Sequence, residues 1–332
     1  TLKAKECNSL FKPLFIVGTG RSGTTLLRAL LNAHPNLHLS KESSFMVVAK
    51  YKKYTKSPKA ELERYFQSIP FGWLQLDKND VISRIPKNAS YSDSFRAVLE
   101  TDATRHGKTA WGDKTPAHWI AVKNIRKHFP DAVIINLVRD PRDVVASLLR
   151  VPWGSPSFVM NSIYTEWTLR HLRKQVDVHH LRLEDLLGNP EKVLRFILKQ
   201  IDLPWDDRLL QHDRYSVNDV GGIPWLAQAY KPLKPYAPKR SLPPHQEAWV
   251  EWLCRSAFVH FGYKKYATQL SFKALVFDLP LFFKSLIHMM KIFFFPDPVR
   301  EKELKRWLSH NPKAFNHYPE CDSEKATKAS FE

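Results

Sequence analysis

Four short runs of apolar and β-branched residues, Leu14 to Gly18, Thr109 to Gly112, Ala132 to Val138 and Val178 to Leu183, alternate along the chain with segments of helical periodicity. Near-continuous apolar runs such as AVIINLV are expected of strands buried on both faces, so the alternation predicts an α/β domain with a central parallel sheet. Between the first two runs, TTLLRALLNAHP places Leu26, Leu27, Leu30 and Leu31 on one helical face, and Pro35 closes the segment. After the third run, Asp140 is an N-cap candidate, Pro141 fits a first helical turn, and Asp143 puts a carboxylate near the positive end of the helix dipole. Residues 51 to 107 read as mainly helical. Residues 221 to 246 are too proline-rich for a regular element and read as a long loop over a binding site.

Beyond about Ala267 the pattern changes to FKALVFDLPLFFKSLIHMMKIFFF, an apolar run interrupted by Lys273, Asp278, Lys284 and Lys291. It lacks the roughly 18 uncharged residues of a spanning helix. On a helix, Lys284, His288 and Lys291 share one side. Two readings stand: a helix packed on the domain or on a second subunit of a homodimer, or a peripheral membrane helix over residues 272–295. The remainder, from Pro296 to Glu332, is charged and reads as a loosely ordered tail.

Composition narrows the ligand class. A formal charge of +18, from 51 Lys+Arg against 33 Asp+Glu, favours anionic ligands or surfaces without choosing among them. Cys7, Cys254 and Cys321 have no zinc or disulfide spacing, which mildly favours a reducing compartment. No signal peptide is visible in TLKAKECNSLFK. The expectation is a cytoplasmic, peripherally membrane-associated protein, with the Golgi lumen as the alternative where a preceding anchor has been removed. One sequon, Asn88-Ala-Ser90, is present, and chance alone readily supplies one in a chain of this length.

Three of the four apolar runs lead into polar clusters, RSGTT, DKTP and RDPRD, and the carboxyl ends of parallel strands are where such sheets bind ligands. In GTGRSGTT, Gly18 and Gly23 have Walker A separation, but Thr24 stands where the lysine belongs and Arg21 lies within the loop. A strand, a glycine turn and a helix start make an anion site from backbone N–H groups and the helix dipole. Loss of the lysine argues against ordinary nucleotide hydrolysis. Arg139, at the end of a strand, and Ser147, eight residues on, can grip a second phosphate. His179 and His180 lie in a strand and read as structural.

The ordered set RSGTTLL, AHPNLHLSKES, WGDKTP, FPDAVIINLVRDPRDVVASLL and LRLEDLLGNPEKVLRFI resembles the motifs of the sulfotransferases that use 3′-phosphoadenosine 5′-phosphosulfate (PAPS), in particular the Golgi protein-tyrosine sulfotransferases and their bacterial relatives. The resemblance runs from about Leu14 to Ala267 and implies a P-loop-like three-layer fold, with a sulfotransferase domain over 1–267 and a C-terminal amphipathic helix and tail over 268–332. It further implies a 5′-phosphosulfate loop of Gly20, Arg21, Ser22, Gly23, Thr24 and Thr25, a 3′-phosphate pair of Arg139 and Ser147, and a late phosphate contact from Lys231 in QAYKPLK. Glu42, 21 residues after Arg21, would be the general base, buried enough to act near neutrality, and Lys114 would stabilise the group in transit and its leaving oxygen. Leu183 departs from the family's usual aromatic at that place, and Trp225 stands near an expected serine.

The implied reaction moves a sulfonate from PAPS to a hydroxyl of a tyrosine, glycan, lipid or metabolite and leaves 3′,5′-ADP. It needs in-line positioning, a base and fixed cations, the last supplied by Arg21 and Lys114 in place of a metal. No metal constellation and no nucleic-acid partner are expected. The rivals are a P-loop kinase or nucleotide phosphotransferase, and a catalytically silent anion- or membrane-binding module.

Overall fold

A computed structural model describes residues 11–47, 58–151, 153–217, 224–238, 241–266 and 269–294. Cys7, Cys321 and the charged tail from Pro296 lie outside these residues, as do residues 218–223 and 239–240 of the proline-rich segment.

Five strands form one all-parallel sheet: β1 (Leu14–Val17), β2 (Leu37–Ser40), β3 (Ala110–Lys114), β4 (Val133–Val138) and β5 (Val178–Arg182). Their order is β2-β3-β1-β4-β5. Phe15 of β1 is level with Asp113 of β3 and Ile134 of β4, and Leu39 of β2 is level with Gly112. The period-2 alternation of side chains divides the core into two layers. Phe15, Val17 and Ile134 pack with Phe95, Val98 and Leu99 of the helix Tyr91–Arg105 on one face. Leu14, Ile16 and Ile135 pack on the other with Leu27, Leu30 and Leu31 of the helix Thr24–Asn32 and with Leu194 and Ile197 of the helix Pro190–Gln200. Helices on both faces of a parallel sheet make the P-loop-like three-layer fold.

β2 is the strand that the apolar pattern does not announce. In LHLS only the leucines are apolar, yet all four residues are buried. The imidazole of His38 is matched: its Nε2 lies 3.1 Å from Asp102 Oδ2, and the ring stacks on His106 at 4.0 Å. Burial holds the His38 pKa down at about 4 despite the neighbouring carboxylate. In β5, Asn136 of β4 lies 2.9 Å from His180 Nδ1, a structural contact for that histidine.

The helices that follow β4 carry the remaining core. Pro141–Leu148 starts with the Asp140 side chain accepting from Arg142 N–H at 2.9 Å. It packs with Phe158–Arg173, Pro244–Leu253 and Arg255–Phe261 around Val145, Phe158, Trp249 and Phe258. Cys254 is buried here, and burial raises its thiol pKa. The helix Phe272–Phe294 docks on this layer through Ala274 and Leu275 and contains Pro280. Among the described residues, no helix is long and apolar enough to cross a membrane.

Gly112 sets the spacing at the middle of the sheet. A Cβ there would lie 2.3 Å from the Leu14 carbonyl oxygen and 2.4 Å from Leu39 Cδ2. Backbone cannot yield as a flexible side chain would, so Gly112→Ala is expected to cost at least about 1–3 kcal/mol of overpacking. Urea unfolding should show a lower midpoint at an unchanged slope; an unshifted midpoint would contradict the close strand approach.

Candidate active site

The strands β1, β2, β3 and β4 each bring a charged side chain to the carboxyl edge of the sheet: Arg21, Glu42, Lys114 and Arg139. β1 runs into the loop that opens the helix Thr24–Asn32, with Gly18 at φ +139° and Gly23 at φ +91°. Both are conformations that favour glycine. A Cβ on Gly18 would meet Asn136 Oδ1 at 2.7 Å, and one on Gly23 would meet Leu183 Cδ1 at 2.7 Å. Leu183, the departure noted in the sequence, is therefore the residue that closes over Gly23. Arg21 also sits in the left-handed region, at φ 72°, a non-glycine conformation costing about 1–3 kcal/mol that recurs at functional sites. This turn lets the Arg21 side chain reach across the loop, where Nε donates to Ser147 Oγ at 3.0 Å.

The second cation approaches the same loop from β4. Arg139 Nη1 donates to the Arg21 carbonyl oxygen at 3.3 Å, and Nη2 donates to Asp143 Oδ2 at 3.1 Å. Its Nε is buried with no hydrogen-bond partner among the described residues. Arg21, Gly23, Thr24, Thr25, Arg139 and Ser147 line one cleft of about 250 Å³, together with Asp143 and Arg150. Burial and the adjacent Arg139 lower the Arg21 pKa, while Glu42 raises it. The loop thus concentrates positive charge beside helix-start N–H groups, which lack intrahelical acceptors.

Glu42 and Lys114 meet at the ends of β2 and β3, with Lys114 Nζ 2.7 Å from Glu42 Oε1. The lysine side chain is 5% exposed and the glutamate 44%. Glu42 is thus more open than its expected role as a buried base implies, because it projects from the loop after the edge strand β2. The pair stands beside the cleft rather than on its wall, and it is electrostatically coupled to the cleft through Arg21.

Other expected contacts are placed differently. Ser22 is fully buried and its hydroxyl donates to the Thr19 carbonyl at 2.9 Å, so its side chain faces away from the cleft. Gly20 lies under Trp153, whose ring would be 2.9 Å from a Cβ there. The Lys231 side chain is exposed and does not line the cleft; Leu226, Gln228 and Ala229, a few residues earlier, do. The proline-rich segment therefore covers the site through residues other than Lys231.

Two supporting contacts were not evident from motifs. Asp143 accepts from Tyr236 O–H at 2.6 Å as well as from Arg139, tying the covering segment to the cation, and burial beside this carboxylate raises the Tyr236 pKa. Arg28, buried in the otherwise leucine-rich helix, donates through Nε to the Leu39 carbonyl at 2.7 Å and through Nη1 to the Tyr230 hydroxyl oxygen at 3.1 Å. An arginine amid leucines on a helix was the available signal for it.

The fold and this edge define a P-loop-like α/β protein that gathers Arg21, Lys114 and Arg139 at the carboxyl ends of its strands. The sulfotransferase family profile matches residues 13–207, and the chain belongs to that family. It is 27% identical over 227 residues to protein-tyrosine sulfotransferase 1 of Danio rerio, covering 63% of this chain and 58% of the relative. It is 28% identical over 229 residues to the protein-tyrosine sulfotransferase of Drosophila melanogaster, covering 64% and 42%. The chain thus spans less than two thirds of the length of these relatives. Among solved structures it resembles the sulfotransferase domain of the Synechococcus PCC 7002 olefin synthase in fold, with a TM-score of 0.51 at 21% identity, covering 77% of this chain and 96% of that one.

Proposed function

We propose that the protein transfers a sulfonyl group from PAPS to a hydroxyl of an acceptor. The observation that carries this reading is the convergence of two guanidinium groups, Arg21 and Arg139, on one helix-start loop, with the Lys114–Glu42 pair beside it. The partnerless Nε of Arg139 and the two threonines of the first helical turn suit a nucleotide carrying separate 3′- and 5′-phosphate groups. When bound, PAPS supplies the sulfonyl group on a phosphosulfate anhydride. Arg139 and Ser147 would hold the 3′-phosphate, and the N–H groups of the Gly23–Thr25 turn would hold the 5′ end. Arg21 and Lys114 would face the charge that builds on the leaving oxygen.

Glu42 would take the acceptor hydroxyl proton. Its partly open side chain allows an incoming hydroxyl to reach Oε2 while Oε1 keeps Lys114. The relatives' names point to a protein tyrosine as acceptor, and glycan, lipid and metabolite hydroxyls are the other classes this chemistry admits. The Walker lysine of an ATP-hydrolysing loop is replaced by Thr24, which favours this reading over a kinase.

Two measurements test the proposal. 3′,5′-ADP without Mg²⁺ is expected to raise the melting temperature more than ATP with Mg²⁺ does; the opposite ranking would favour a phosphotransferase. Glu42→Gln is expected to keep 3′,5′-ADP binding and to lose at least about a hundredfold in transfer from radiolabelled PAPS. A fully active Gln variant would remove Glu42 as the base.

A further inference from the structure

The helix Phe272–Phe294 is inverted with respect to an ordinary surface helix, whose apolar stripe faces the core. Its most deeply buried positions include Asp278 and Ser285. Asp278 accepts from Phe158 N–H at 3.0 Å and also pairs with the Ser157 hydroxyl, so it completes the N-terminus of the helix Phe158–Arg173. Ser285 Oγ lies 2.7 Å from Ser155 Oγ. Its large apolar residues point outward instead. Phe272, Val276, Leu279, Phe283 and Ile287 recur at helical spacing along one stripe, and each is more than half exposed.

This stripe does not end with the helix. Phe272 meets the Trp249 ring at 5.7 Å, and Trp249 meets Trp252 at 5.6 Å, which continues the apolar surface onto a tryptophan that is itself about half exposed. Arg255 lies over Trp252 at 5.1 Å. Lys273 and Lys284, both exposed, lie along one flank of the stripe, separated by about three helical turns. Asp278, the helix's one acidic residue, is turned inward and engaged.

We propose that this face binds the surface of an anionic lipid bilayer, lying in the interface while the polar pins Asp278 and Ser285 keep the helix fixed to the domain. An outward apolar stripe, a tryptophan at its margin and lysines on its flank match what an interfacial helix requires: apolar burial into the acyl boundary and cations at headgroup level. The charge pattern decides against a second copy of the chain. A two-fold contact sets the same patch against itself, and here it would face lysines with lysines and offer no acid from the helix. The inference rests on this face and is independent of the chemistry proposed for the cleft.

The test is cosedimentation of the full chain with phosphatidylcholine/phosphatidylglycerol vesicles and with phosphatidylcholine vesicles. The wild-type protein is expected to sediment with the anionic vesicles, less with the neutral ones, and to be released as salt rises. Val276→Ser, Phe283→Ser and Ile287→Ser combined should weaken binding at least about tenfold, with an unchanged thermal melt because these side chains are exposed. Lys273→Glu with Lys284→Glu should abolish the preference for anionic vesicles. The proposal is overturned if the wild-type protein stays in the supernatant, or if the serine variant sediments as the wild type does. A wild-type dimer that the serine variant converts to monomer would equally overturn it, by showing that a second copy covers the face.

Discussion

Parallel pairing of β1 with β3 on one side and β4 on the other is the constraint on which the site depends. Because Phe15 is level with both Asp113 and Ile134, the carboxyl ends of the three strands lie on one edge of the sheet. Arg21 of the loop, Lys114 at the end of β3 and Arg139 just past β4 are thus delivered to one edge from distant parts of the sequence. The cost is mutual repulsion among cations and desolvation, expressed in the lowered pKa of Arg21. Asp143, Glu42 and the Ser147 hydroxyl offset it by accepting from these groups. A bound anion would take over part of that role.

The covering segment belongs to the same network. Tyr236 donates to the carboxylate that holds Arg139, and Tyr230 receives Arg28 from the helix behind the glycine loop. Floor and roof of the cleft are therefore connected through side chains that do not themselves line it, Arg28 and Tyr236. On the far side of the helix Pro141–Leu148, Asp278 ties the C-terminal helix to the body by capping Phe158–Arg173. A buried carboxylate satisfied by N–H and O–H donors holds that helix in one orientation, where apolar contact alone would permit sliding.

Much of this was legible in the sequence, and the exceptions share a physical cause. The apolar runs gave four of the five strands, most plainly β1 (LFIV) and β4 (VIINLV), whose buried positions are almost all apolar, and the glycine spacing, Asp140-Pro141 cap and basic clusters gave the edge. LHLS escaped because its His38 and Ser40 are buried against the helix Tyr91–Arg105 rather than in hydrocarbon, so polarity did not mean exposure. Leu183 looked like a lost contact, whereas its side chain fills the space above Gly23 that a larger residue in the loop would need. Ser22 and Lys231 read as ligand contacts from motif position, but side-chain direction, set by Thr19 for Ser22 and by the course of the covering segment for Lys231, is not encoded in spacing. The polarity of the last helix was misleading in the opposite sense: periodicity showed two faces, and only the contacts of Asp278 and Ser285 showed which one turns inward.

The central claim is that this edge holds two phosphate groups through separate residues, with Arg139 serving the 3′ position. Calorimetric titration of 3′,5′-ADP and of 5′-AMP into the wild-type protein and Arg139→Ala addresses it most directly. The account predicts that the substitution weakens 3′,5′-ADP at least about tenfold, as expected for loss of a charge-assisted hydrogen bond, and leaves 5′-AMP nearly unchanged. Equal losses for the two nucleotides would contradict it.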